Sequence, residues 1–322
     1  MRYPLGIAAV AAMYFAAGQV GLELALVRGQ VTPLWPPTGI ALACLLVWGW
    51  RMWPGITLGA LAVNAPFGPS PLAVALIAAG NTLAPLCSYA LLHFAGFRSD
   101  LRRFRDAVLL VVLGALVGML VSAGSGTGVL IWFDALAPQQ FWSTVSVWWT
   151  GDAMGVLVIV PLVLAVRLAT WPRGVRPIRW IEGVLLLAAT VAVAVVGTVS
   201  PAQFHLTFAA FPVLIWAATR FQLLGAAACV LVISVTAVLA AAAGIGAFAD
   251  LELLERMVNL QAFNGAVAMT GLLLACMTTE RLEAIWSIEQ ARAQLTRAVA
   301  SIHTGTPQTY LSPTRPGDTR RS

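Results

Sequence analysis

The sequence predicts an all-helical, polytopic membrane bundle of about ten spanning helices (eight to ten), with both termini cytoplasmic. Three observations carry that prediction. First, 60% of the residues are hydrophobic and 10% are charged, against about 25% charged in an ordinary soluble domain. Second, apolar runs close to the 20 or so residues that a bilayer crossing needs recur along the chain. Third, the arginines that punctuate those runs fall on alternate breaks.

Taken in order, the apolar runs place spans near 4–26, 35–50, 52–67, 71–94, 106–130, 143–169, 180–200, 205–220, 222–247 and 257–280. The first has Arg2 ahead of it, as a signal peptide would. Its length, and the spans that follow without a soluble domain, read instead as an uncleaved first helix. The second opens on Trp35-Pro36-Pro37-Thr38-Gly39, where proline suits a first helical turn because its missing N–H is not needed there. The third is short, and the eighth and ninth nearly touch. Between Ser143 and Ala169 the sixth span contains only two ionisable residues, Asp152 and Arg167.

Orientation follows from charge. With the N-terminus inside, Arg2, Arg51, Arg98, Arg102, Arg103, Arg105, Arg167, Arg173, Arg176, Arg179, Arg220, Arg281, Arg292 and Arg297 fall inside, and only Arg28 and Arg256 outside. An excess of basic residues on one side marks the cytoplasm. The sequence pI near 9.8 is thus a topology signal and implies no nucleic acid. The expected location is a membrane that the chain crosses many times.

That orientation makes scattered polar residues converge. Asn81 and Asp152 both enter from outside, to depths of roughly 15 and 13 Å at 1.5 Å per residue. Asn64 lies near the outer end of the third span, and Trp35 anchors the mouth of the second. A carboxylate near the centre of a spanning helix costs about 2.5–3.5 kcal/mol on insertion scales and ordinarily faces a partner or a cavity. The expected ligand-binding set is therefore Trp35, Pro36, Pro37, Thr38, Asn64, Asn81, Trp149 and Asp152, lining one cavity that opens outward. Packing readings stand beside it: Trp35 to Pro37 as an interfacial cap, and the two asparagines as interhelical glue. Gly151 and Gly155 flank Asp152 at a spacing that lets backbones approach closely. No catalytic residue, metal ligand or cofactor is expected. Cys44, Cys87, Cys229 and Cys276 sit singly in apolar runs, and the three histidines are scattered.

Several stretches together resemble the first type of bacterial membrane-associated sensor (MASE) domain. They are WPPTGIALACLLVWGWRMWPGITLGALAVN (35–64), GNTLAP (80–85), LRRFRD (101–106), SAGSGTG (122–128), WWTGDAMGVLVIVPLVL (148–164), FPVLIWAATRF (211–221) and LLLACMTTERLEA (272–284). The resemblance implies an all-helical sensor joined to histidine kinases and diguanylate cyclases, with fewer spans than the hydropathy reading suggests. With the apolar rhythm and composition after Thr279, the chain divides into a sensor domain over 1–280, a cytoplasmic helix over 281–303 and a disordered tail over 304–322. Residues 280–322 depart from the family pattern. They carry no Gly-Gly-Asp-Glu-Phe loop, Glu-Ala-Leu signature or histidine box, and are too few for a kinase core. Ile285, Ile288, Leu295, Val299 and Ile302 follow a coiled-coil rhythm broken by Arg292. A surface-lying amphipathic helix fits the same residues.

Three function classes remain in view. The first is a sensory or ligand-binding membrane domain, not an enzyme, that relays the state of a small ligand or membrane partner to a separate kinase or cyclase, alone or as a homodimer. The second is a transporter or a substrate-binding transporter subunit, which the proline-interrupted spans at Pro85, Pro161 and Pro212 would suit. The third, an intramembrane enzyme, lacks a nucleophile–base pair or a metal set.

Overall fold

The computed structural model describes residues 3–24, 32–169, 177–200 and 206–304. Arg28, Arg173, Arg176, His205 and most of the expected disordered tail lie outside the described residues. Among the described residues every regular element is helical. The helices are α1 (Tyr3–Glu23), α2 (Pro36–Trp48), α3 (Trp53–Asn64), α4 (Pro71–Phe94), α5 (Phe104–Leu109), α6 (Leu120–Trp132), α7 (Phe141–Leu168), α8 (Pro177–Val199), α9 (Ala210–Ala243) and α10 (Leu253–Thr304). Seven helical stretches among the described residues are long and apolar enough to cross a membrane. The chain divides into two compact units, Met1–Thr279 and Glu280–Ser322. In the second, the described side chains from Glu280 to Ala300 are all exposed.

The second and third expected spans are shorter than the sequence reading made them. α2 has 13 residues and α3 has 12, about 20 and 18 Å of helix at 1.5 Å per residue. A bilayer core is about 30 Å thick. Gly49, at φ 88, ends α2, and a 3₁₀ turn over Trp50–Met52 leads directly into Trp53-Pro54. Glycine supports that left-handed turn without a Cβ penalty. The fourth span begins as its sequence suggests: Ser70 caps α4 by accepting from the Ala73 N–H at 3.1 Å, and Pro71 takes the first turn.

The fifth span is not a single α-helix. Between α5 and α6 the chain forms a π-helical segment, Leu110–Val117. Widened turns leave carbonyls poorly served by the helix itself, and π segments concentrate at functional sites. Side chains serve two carbonyls here. Ser88 of α4 donates to Gly114 O at 2.9 Å and Trp149 of α7 to Leu116 O at 2.6 Å.

α9 folds back on itself. Gln222 has φ 53 and ψ −139. A Cβ placed on Gly271 of α10 would lie 2.6 Å from Val230 Cγ2 and 3.7 Å from Leu214 Cδ2. In one straight helix those two residues would be roughly 24 Å apart. They meet the same glycine because the chain reverses at Gln222, where the sequence reading separates its eighth and ninth spans.

Around this frame, α2 packs against α7, α1 and α4. α3 lies against α1 and α4, α6 against α4 and α7, and α9 against α7 and α8. Side-chain bonds tie the helix ends in two sets. At one end Gln261 Nε2 donates to Pro33 O at 2.8 Å and Arg256 Nη2 to Leu251 O at 3.0 Å. At the other, Arg220 grips Glu182 at 2.6 and 2.7 Å, and Cys276 Sγ donates to Leu101 O at 3.0 Å.

Candidate functional site

The site begins with two glycines. Gly151 and Gly155, four residues apart, present bare backbone on one face of α7. The segment 32–39 lies directly across them. Trp35 N–H donates to Gly151 O at 3.0 Å. A Cβ on Gly155 would overlap Trp35 O, and one on Gly39 would overlap Gly155 O. Any side chain there would push α2 off α7. Pro36 and Pro37 fit because the entry of α2 has no N–H to satisfy, and both are buried.

This close approach puts α2 within reach of Asp152, which is 1% exposed. Thr38 Oγ1 donates to Asp152 Oδ1 at 2.6 Å and Ser122 Oγ to Oδ2 at 2.5 Å. One hydroxyl comes from α2 and the other from α6, so the carboxylate of α7 joins three helices. Among the described residues no basic side chain pairs with it. Hydroxyl–carboxylate bonds of this length belong to the stronger, charge-assisted class. In a bilayer interior they supply what water would otherwise provide. Beside them Tyr14 of α1 is buried, close to Trp35 and within electrostatic range of Asp152.

The remaining expected site residues are distributed differently. Asn81 is 8% exposed and makes no side-chain hydrogen bond among the described residues. Pro85, four residues on, also deprives the Asn81 carbonyl of its helical donor. Its neighbour Gly80 abuts Ser125, about one turn from Ser122, so Asn81 lies close to the level of Asp152. Asn64 and Trp149 each have a backbone partner of their own. The Asn64 amide turns back to Ala60 O of its own helix at 2.8 Å. The Trp149 indole is committed to Leu116 O of the π segment.

Sequence reasoning missed Ser122 and Tyr14. Ser122 opens the SAGSGTG stretch, where a hydroxyl amid small residues marks a close helix contact. Tyr14 lies on one face of α1 with Gly18 and Gly21, the latter against the Trp35 ring. No group of three His, Cys, Asp or Glu among the described residues could hold a metal ion.

A multi-helix membrane protein with a fully enclosed carboxylate at the junction of three helices is the class this fold and site define. The family model MASE1 matches residues 5–282. The chain belongs to that family of membrane sensor domains. No curated protein and no solved structure matches it.

Proposed function

We propose that the chain is the sensory unit of a signalling system in the bacterial inner membrane. It would take a small ligand from the outer side, or meet a membrane partner, at the Asp152 junction. The helix after Thr279 would pass the result to a separate histidine kinase or diguanylate cyclase. The observation that carries this reading is Asp152 itself, held by Thr38 and Ser122 from two other helices. An occupant that competes for either hydroxyl changes how α2 and α6 pack on α7, and differential affinity for two packings is what a switch requires. Asn81, with its unpaired amide, and the wall formed by Trp35, Pro36 and Pro37 complete the proposed recognition surface.

We further propose ten crossings and cytoplasmic termini. The reversal at Gln222 supports an even count, since it divides the most apolar stretch among the described residues into two antiparallel helices. The short α2 and α3 would form the remaining pair.

The test is Asp152→Asn, which keeps shape and removes charge. The purified variant in nanodiscs should insert and fold as the parent does, yet show altered proteolytic protection of the helix after Thr279. Parent-like protection would make Asp152 a packing residue. The transporter reading draws on the broken α9 and the prolines inside α4 and α7. Uptake of labelled solutes by proteoliposomes of the purified protein would establish it.

A further inference from the structure

α10 carries two features that the Asp152 junction does not explain. Asn264 is 0% exposed, and neither its Oδ1 nor its Nδ2 has a hydrogen-bond partner among the described residues. One turn earlier, Gln261 spends its Nε2 on Pro33 O but leaves its buried Oε1 unpaired. Facing them, α9 runs antiparallel: Arg256 reaches Ala241 O and Gly271 meets Val230. Asn264 therefore falls opposite the stretch around Ser234, whose buried hydroxyl is also unpartnered. Neither amide atom of Asn264 has surface that an occupant could touch. This packing holds desolvated polar groups with nothing in return.

The second feature lies twelve residues beyond Asn264 on the same helix. Cys276 Sγ donates to the carbonyl of Leu101, which is 2% exposed and held at φ 48. A bulky residue in the left-handed region is unfavourable unless its surroundings impose it, and such strain gathers at switch regions. Leu101 continues through α5 and the π segment to Ser122. Pro33 continues through Trp35 to Thr38. Both ends of the membrane part of α10 thus lead along the chain to the hydroxyls on Asp152.

We infer that α10 is a strained two-position element, biased away from this packing by Asn264 and Leu101 and held in it by the Asp152 junction. The gating clause rests on the function proposed above; the strain in α10 does not. Breaking the Thr38 or Ser122 bond lets the 32–38 segment or α6 shift. α10 then moves along α9, Asn264 finds partners, and the Leu101 turn relaxes.

Native Cys276 reports the movement, because its thiol is fully buried in the packing described. In a background of Cys44→Ala, Cys87→Ala and Cys229→Ala in nanodiscs, alkylation by N-ethylmaleimide measures how often α10 releases. Asn264→Leu, close in volume and without unpaired groups, should raise the melting midpoint by about 2–4 °C and slow alkylation of Cys276 several-fold. Asp152→Asn should speed alkylation several-fold, and adding Asn264→Leu should reverse that. A lower midpoint or loss of folding in Asn264→Leu overturns the inference, as does a higher midpoint with unchanged alkylation. If Asn264→Leu behaves as expected while Asp152→Asn leaves alkylation unaltered, the strain in α10 stands and the gating role of Asp152 falls.

Discussion

At Asp152 the energetics turn on two hydroxyls. The carboxylate is enclosed, unpaired with any cation among the described residues, and bonded at 2.6 Å to Thr38 and 2.5 Å to Ser122. Removing one partner from a buried acceptor costs about 1–3 kcal/mol, more when the acceptor is charged. Thr38→Val preserves the β-branched shape and deletes only the donor. It should lower the thermal midpoint in detergent by several degrees, whereas Thr38→Ser, which retains the hydroxyl, should stay near the parent. Equal midpoints for Val and Ser would mean that the Thr38 bond contributes nothing. The aspartate and its need for partners were legible in the sequence. Ser122 was not singled out, because many serines in membrane helices bond only their own backbone, as Ser125 does to Val121 O at 2.6 Å.

Among the helices, α9 shows how a local conformation shapes a long apolar run. Hydropathy alone cannot distinguish one tilted helix from two short ones over residues 206–243, since both are equally apolar. The reversal depends on Gln222, a residue with a Cβ in a conformation that glycine adopts without strain. Gln222→Gly should therefore stabilise the fold by about 1–3 kcal/mol, read as a higher unfolding midpoint. A fall would show that the glutamine side chain holds the turn. α2 and α3 illustrate the opposite limit. Their apolar residues extend beyond the helices, and Gly49 with the Trp53-Pro54 step ends the first and starts the second.

For the whole molecule, orientation decides which side of the membrane the Asp152 junction lies nearer. The arginine bias and the two sets of tied helix ends are independent observations. Pro33, Gln261 and Arg256 gather at one end, and Leu101, Cys276, Glu182 and Arg220 at the other. The basic loop 98–105 belongs to the second set, which the orientation proposed above puts in the cytoplasm. In a variant without native cysteines, Ala137→Cys should react with an impermeant maleimide applied from outside, and Asp100→Cys should not. Labelling at 100 in place of 137 would invert the topology and put the Asp152 junction nearer the cytoplasmic face.

The sequence by itself determined the class, the family resemblance and the exceptional status of Asp152. Each rests on a property of individual residues or short runs: apolar length, charge placement, a carboxylate where lipid is expected. Only the tertiary structure decided which hydroxyls meet that carboxylate, that Trp149 bonds Leu116 O, and that Asn264 is enclosed with no partner among the described residues. Those outcomes depend on helix register and on backbones touching at Gly39 and Gly155. Close contact between helices far apart in the chain is set by packing, which periodicity along one helix does not encode.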